Sequence, residues 1–193
     1  MATRLTRTTV TPTNGKKYTI SLWIKLGNIE GYKSMIACEL DTGYLIFNSS
    51  KQIEWYDIRA GETTNWQIYK TTTAKYRDCS AWYHIVAAAD TTLSGVDNIS
   101  KLYVNGELIT SFAVNSTVTN DTNTILNQGS ITQNIGTLVD GTNYPVDSYL
   151  AHFHFIDGTQ YAASDFASAD STSGIWKPNL APSVTYGDNG FFI

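Results

Sequence analysis

At 193 residues the chain has the length for one domain with a full hydrophobic core, and the expected unit spans residues 1–193. A net charge of −4 and a pI near 5.2 exclude the basic footprint of a nucleic-acid binder. No apolar run approaches the roughly 20 residues that insertion across a membrane requires.

Charged residues make up only 16%, while Thr, Ser, Asn and Tyr separate short apolar runs, a composition that favours strands and turns over helices. The opening MATRLTRTTV lacks the apolar stretch of a secretory signal, so a soluble product assembled in the compartment of its synthesis is expected. In YTISLWIKL (18–26) Tyr18, Ile20, Leu22, Ile24 and Leu26 point one way and Thr19, Ser21, Trp23 and Lys25 the other, which predicts a half-buried strand. KSMIACEL, GYLIFN, KQIEWYDI and NWQIYKTT follow as short strand candidates. In AWYHIVAAAD (81–90) both faces are mostly apolar, which predicts a central strand covered on two sides.

Asn105-Gly106 in KLYVNGELITSF sits between two alternating runs, and both residues tolerate positive φ, so a type I′ hairpin is predicted. QNIGTLV, SYLAHFHFI and GFFI supply later strands. In SYLAHFHFI the residues Tyr149, Ala151, Phe153 and Phe155 read as the core face, with His152, His154 and Ile156 opposite. One short helix is predicted around AASDFASAD (162–170), with Ser164 at its start. With no βαβ rhythm, about a dozen short strands predict an all-β, two-sheet antiparallel jelly-roll sandwich.

His152 and His154 could share a metal, but a site needs a third ligand, and Asp157 has the wrong strand parity. A plain strand surface is the expected reading, with no metal. Glu39 and Asp41 in ACELDTG resemble the paired acids of sandwich glycoside hydrolases, yet Gly43, Tyr44 and Leu45 follow where a second Glu belongs. Cys79 and His84 are sequence neighbours, but His84 lies in an apolar strand that suits packing. Cys38 and Cys79 read as reduced, largely buried thiols. The loop acids Asp41, Asp140, Asp147 and Asp157 form no compact calcium motif, so no cofactor is assigned. The expectation is a non-enzyme with no catalytic residue.

Surface recognition fits better. Alternation cannot bury all of Trp23, Trp55, Tyr56, Trp66 and Tyr69. An exposed ring beside Asn, Asp or Gln offers a sugar an apolar platform with orienting hydrogen bonds; the alternative for each ring is the core or a subunit contact. RAGETTNW and DGTNYPVD are the candidate loops, and Trp55, Tyr56, Trp66, Asn143 and Tyr144 the candidate carbohydrate-binding residues.

YRDCSAWYHIVAAADTT, KLYVNGELITSF and YLAHFHFIDGTQYAASDFASADSTSGIWKPN, with RLTRT…NGKKYTISLWIK before them and SGIWKPNLAPSVTYGDNGF closing the chain, share a pattern. Together they resemble the concanavalin A-like lectin/LamG-type domains of structural proteins of bacteriophages and marine viruses. The resemblance implies a virion protein on the particle surface: a capsid decoration (cement) protein or a tail-fibre knob, made in the host cytoplasm. Its partners would be the major capsid or tail protein, further copies of itself in a homo-oligomer or symmetric array, and host-surface glycans. No stalk or docking module is expected, so attachment falls to the sandwich's own surface or termini. His152 stands where the family often has Glu, and Cys79 where it has Pro, which argues against a fixed role for either. A free-standing carbohydrate-binding adhesin and a polysaccharide hydrolase are the alternatives.

Overall fold

The computed structural model describes residues 3–193 apart from 39–41, 62–64, 119–120 and 139. Glu39 and Asp41 thus lie outside the described residues. The strands in chain order are β1 (Leu5–Thr8), β2 (Lys17–Leu26), β3 (Lys33–Cys38), β4 (Gly43–Phe47), β5 (Ile53–Ile58), β6 (Trp66–Thr72) and β7 (Tyr83–Asp90). A one-turn helix α1 (Val96–Ile99) leads into β8 (Ser100–Val104), β9 (Glu107–Leu108), β10 (Phe112–Thr117), β11 (Thr132–Ile135) and β12 (Ser148–Asp157). β13 (Ala167–Ala169), β14 (Trp176–Pro178) and β15 (Phe191–Phe192) complete the chain.

Thirteen of these strands form two stacked antiparallel sheets, seven-stranded in the order β1-β11-β3-β4-β5-β6-β10 and six-stranded in the order β15-β12-β2-β7-β8-β9, and β13 and β14 pair as a separate two-stranded sheet. The fold is the expected all-β sandwich. Its core follows from the alternation of β2: Tyr18, Ile20, Leu22, Ile24 and Leu26 are buried against Leu45, Phe47, Ile53, Trp55 and Ile68 of the other sheet. Each such side chain contributes about 1.5–3 kcal/mol by leaving water. A polar thread crosses this core. The Trp55 indole donates to the Tyr18 hydroxyl at 2.9 Å, which donates to Asp57 Oδ2 at 2.6 Å. Asp57 Oδ1 accepts the amides of Ile125 and Leu126 at 3.0 and 3.2 Å, tying that loop to β5.

All eight residues of β7 are buried, as its two apolar faces predict. The hairpin also forms as read: Asn105 and Gly106 take φ of 51° and 87°, and Val104 pairs with Glu107. A Cβ on Gly106 would come within 2.9 Å of the Trp176 ring, so the glycine also admits the later chain.

Three expectations need correction. First, the core parity of β12 does not run through the strand. Leu150 pairs with Ile24 and Ala151 with Trp23, but the next pairs are His154 with Ser21 and Phe155 with Ile20. His152 and Phe153 together oppose one residue of β2, a β-bulge with His152 at φ 46°. Phe153 and Phe155 reach the core, while Tyr149 is 66% exposed and Ala151 faces outward beside Trp23.

Second, the helix expected over 162–170 is confined to its first residues. Ala163–Asp165 makes one 3-10 turn, whose start is capped by the Asp165 carboxylate on the Ala162 amide at 2.8 Å, not by Ser164. The chain then turns into β13, because Ala167 and Ala169 pair with Pro178 and Trp176 of β14. Tertiary pairing overrides local helix propensity here. Third, Cys38 is buried but Cys79 is only half-buried; neither is in a disulfide.

The segment after β12 covers the outer face of the six-stranded sheet. Val86, Ile156, Ala163 and Phe166 form a second apolar cluster, with Tyr103, Tyr161, Trp176, Val184 and Tyr186 packed on it. Asp157 anchors both ends of this cover. It accepts the amides of Thr13 (2.6 Å), Asn14 (3.2 Å) and Asn189 (3.1 Å) and the Asn127 side chain (2.7 Å).

Candidate ligand-binding face

The register of the seven-stranded sheet places one outward row of residues across all its strands. Thr6 pairs with Asn134, Asn134 with Ala37, Ala37 with Tyr44, Tyr44 with Tyr56, Tyr56 with Tyr69, and Tyr69 with Ser116. Leu45, Trp55 and Ile68 hold the alternate positions in the core, so the tyrosines must face out. Adjacent strands bring their rings together. Tyr44 and Tyr56 stack with centroids 5.3 Å apart at 26°, and Tyr56 meets Tyr69 edge-on at 5.6 Å and 86°. Both geometries are favourable aromatic contacts.

Polar groups frame the row. The Tyr44 hydroxyl donates to Glu54 Oε1 at 2.9 Å. Burial, and then the Glu54 charge, raise the Tyr44 phenol above its ordinary range, so it stays a donor. Burial likewise raises Tyr56. At the far edge Trp66 is 43% exposed and donates its indole N–H to Ser116 Oγ at 3.1 Å, which joins it to the same face. A local register shift between β5 and β6 aims Trp66 this way.

The five sequence-derived candidates therefore separate. Tyr56 and Trp66 lie on this face. Trp55, their strand neighbour, is fully enclosed in the core and presents no ring to a ligand, because it shares strand parity with Ile53. Asn143 and Tyr144 sit elsewhere, in the turn of DGTNYPVD. There Asp140 accepts the Thr142 and Asn143 amides at 2.9 Å, and the Asn143 side chain also bonds Asp140. Tyr144 stacks on Tyr32 at 4.4 Å and 15°, beside an open hollow bordered by Asn28, Glu30 and Asp147. Asp140 and Asp147 are engaged within these loops, the latter by Asn28. Residues 62–64 of RAGETTNW lie outside the described residues. Sequence reasoning omitted Tyr44 from the site, although its alternation with Leu45 and Phe47 marks it as outward.

Two of the three histidines, His84 and His154, have hydrogen-bonding partners. His84 Nε2 meets Ser21 Oγ at 2.9 Å, and Trp176 donates its indole N–H to His84 Nδ1 at 3.0 Å. His154 Nδ1 lies 2.8 Å from the Tyr186 hydroxyl. Burial pushes His84 down to about 3 and His154 to about 4. Among the described residues no group of three or more His, Cys, Asp or Glu side chains could hold a metal.

Residues 3–160 match the family model of the concanavalin A-like lectin/glucanases superfamily. No curated protein matches the chain. Among solved structures, the native heptameric SAP-like pentraxin of Limulus polyphemus is similar at 15% identity, over 98% of this chain and 87% of the pentraxin, with a TM-score of 0.56. A Bacteroides ovatus candidate carbohydrate-binding protein is similar at 12% identity, over 94% of this chain and 59% of the other, with a TM-score of 0.55. At these identities the likeness shows the fold.

Proposed function

Because the chain belongs to the concanavalin A-like lectin/glucanases superfamily, we propose that it binds glycans without cleaving them, through the outer face of its seven-stranded sheet, as a surface component of a virus particle. The row Tyr44–Tyr56–Tyr69 carries the proposal. It sets three rings on adjacent strands, the first two stacked and the third edge-on to the second, with Trp66, Ser116 and Glu54 at its margin. Sugar C–H faces stack on such rings while hydroxyls bond the polar margin. Hydrolysis by the common route needs two carboxyl groups flanking the bond. Glu54 is the one carboxylate that β4, β5 and β6 turn outward, and it is occupied by Tyr44.

The Bacteroides ovatus neighbour supports a glycan as ligand, and the heptameric pentraxin supports several copies in a symmetric array. The resemblance of its motifs to those of viral structural proteins supports a decoration or fibre-knob role for residues 1–193 as one unit, contacting the major capsid or tail protein.

On a glycan array the chain should retain a defined set of sugars, and Tyr56→Ala and Trp66→Ala should each weaken binding about tenfold or more. A blank array at millimolar sugar, or variants that bind like the parent, overturns the glycan reading. Purified particles should contain the chain in stoichiometric copies by peptide mass spectrometry, and finding none rejects the virion role.

A further inference from the structure

The cover over the six-stranded sheet stops short at one end. There Trp23, Trp82, Ala151, His152 and Pro178 line a pocket of about 210 Å³. The β12 bulge shapes it. Ala151 pairs with Trp23, so only a methyl group rises beside that indole, and the positive φ at His152 re-aims the imidazole along the pocket wall. The Trp23 wall is fixed from behind by His84, 5.0 Å away at 18°, which Ser21 and Trp176 hold in turn. Trp82 comes from the loop before β7 and is 40% exposed. Pro178 comes from β14, outside the residues matched to the family.

These walls specify a ligand chemistry. Two indoles and a prolyl ring offer stacking surfaces for C–H groups. His152 is half-buried, and its Nδ1 is enclosed with no hydrogen-bond partner among the described residues, which leaves Nε2 as the ring atom that can bond outward. The space suits one six-membered ring, below the pockets of about 300 Å³ and more that hold drug-sized ligands. None of the five lining residues is an acid, a lysine or an arginine, which favours an uncharged ligand. Apolar walls with one imidazole nitrogen for hydrogen bonding match a ring with one C–H face and a hydroxyl edge.

We infer that this pocket is a second binding site, on the face opposite the tyrosine row, which takes a single neutral pyranose ring. The inference stands apart from the tyrosine row, and the two fail separately. The full chain, labelled with ¹⁵N, is titrated with methyl glycosides of neutral hexopyranoses, with a methyl glucuronide as the charged comparison, and the tryptophan indole N–H signals are followed. The Trp23 and Trp82 signals should shift saturably. Trp82→Ala should raise the Kd about tenfold, Ala151→Leu should abolish the shifts by filling the floor, and Tyr56→Ala should leave them unchanged. Trp82 is exposed, so its variant keeps the test valid should Ala151→Leu misfold. The inference is overturned if no neutral glycoside moves these two signals, if the glucuronide binds more tightly, or if Trp82→Ala binds like the parent. A sugar that moves the Trp66 signal alone refutes the pocket and leaves the tyrosine face standing. One that moves Trp23 and Trp82 but not Trp66 upholds the pocket and counts against that face.

Discussion

On the seven-stranded sheet the outward residues Tyr44, Tyr56 and Tyr69 keep their rings only partly buried, whereas on the six-stranded sheet His84, Val86, His154 and Ile156 lie beneath the chain that follows β12. Both faces follow from the same period-two alternation. What separates them is a later segment that folds back over one sheet and leaves the tyrosine end of the other open; toward β3 and β11 that face is closed as well, with Ala37 and Asn134 buried. Burial on the covered side also decides charge: its two enclosed histidines are held neutral, while the open side keeps aromatic rings framed by hydroxyls and one carboxylate. Recognition by a sandwich of this kind depends on which face the rest of the chain leaves uncovered.

The largest expected effect comes from lifting the cover. Phe166 is enclosed in the second cluster, and Phe166→Ala should destabilise the fold by about 3 kcal/mol or more. Denaturant unfolding checks this, and a loss below about 1 kcal/mol would mean that the cover is not integral to the fold. Next comes its anchor. Asp157→Ala strands three amides and the Asn127 side chain, and should cost about 2–3 kcal/mol in the same assay.

Acid should act on the covered face through its histidines. Their folded values of about 3 and about 4 lie below the unfolded value near 6.5, so their stabilisation is complete above 6.5 and is lost as pH falls toward 4. Asp57 opposes this. Burial pushes its carboxyl up to about 7 although its hydrogen-bond donors pull the other way, so the fold keeps a proton that the unfolded chain releases near 4. Between these limits the unfolded chain gains two histidine protons and lacks one aspartate proton. The balance of about one proton lowers stability by roughly 1.4 kcal/mol per pH unit on acidification. Melting curves should give a lower Tm at pH 5 than at pH 7, and a Tm that rises would reverse the assigned balance. The smallest stability effect belongs to the open face: Tyr56→Ala should change unfolding by about 1 kcal/mol while weakening glycan retention about tenfold or more.

Much of this architecture was readable from local pattern. The five apolar residues of β2, the Asn105-Gly106 turn and the doubly apolar β7 each carry their own signal, because period and turn chemistry are local. The open face was half readable. Trp55 and Tyr56 are adjacent and must point oppositely, and the company of Ile53 for one and Glu54 for the other tells which is which. The bulge at His152 was not readable, since no glycine marks it and only pairing with β2 shows that two residues oppose one. Nor was the fate of 162–170, where pairing of β13 with β14 is a contact between distant residues that local propensity does not encode. The place of Asn143 was hidden for a similar reason: it lies apart from the tyrosine row, in a turn where its side chain bonds Asp140.

A sugar retained on the array, titrated into protein carrying ¹³C-labelled tyrosine rings, reports directly on where it lands. Saturable shifts at Tyr44, Tyr56 and Tyr69, with Tyr149 and Tyr161 unmoved, are the predicted result. Shifts confined to tyrosines of the covered sheet, with the three in the row silent, would contradict the account.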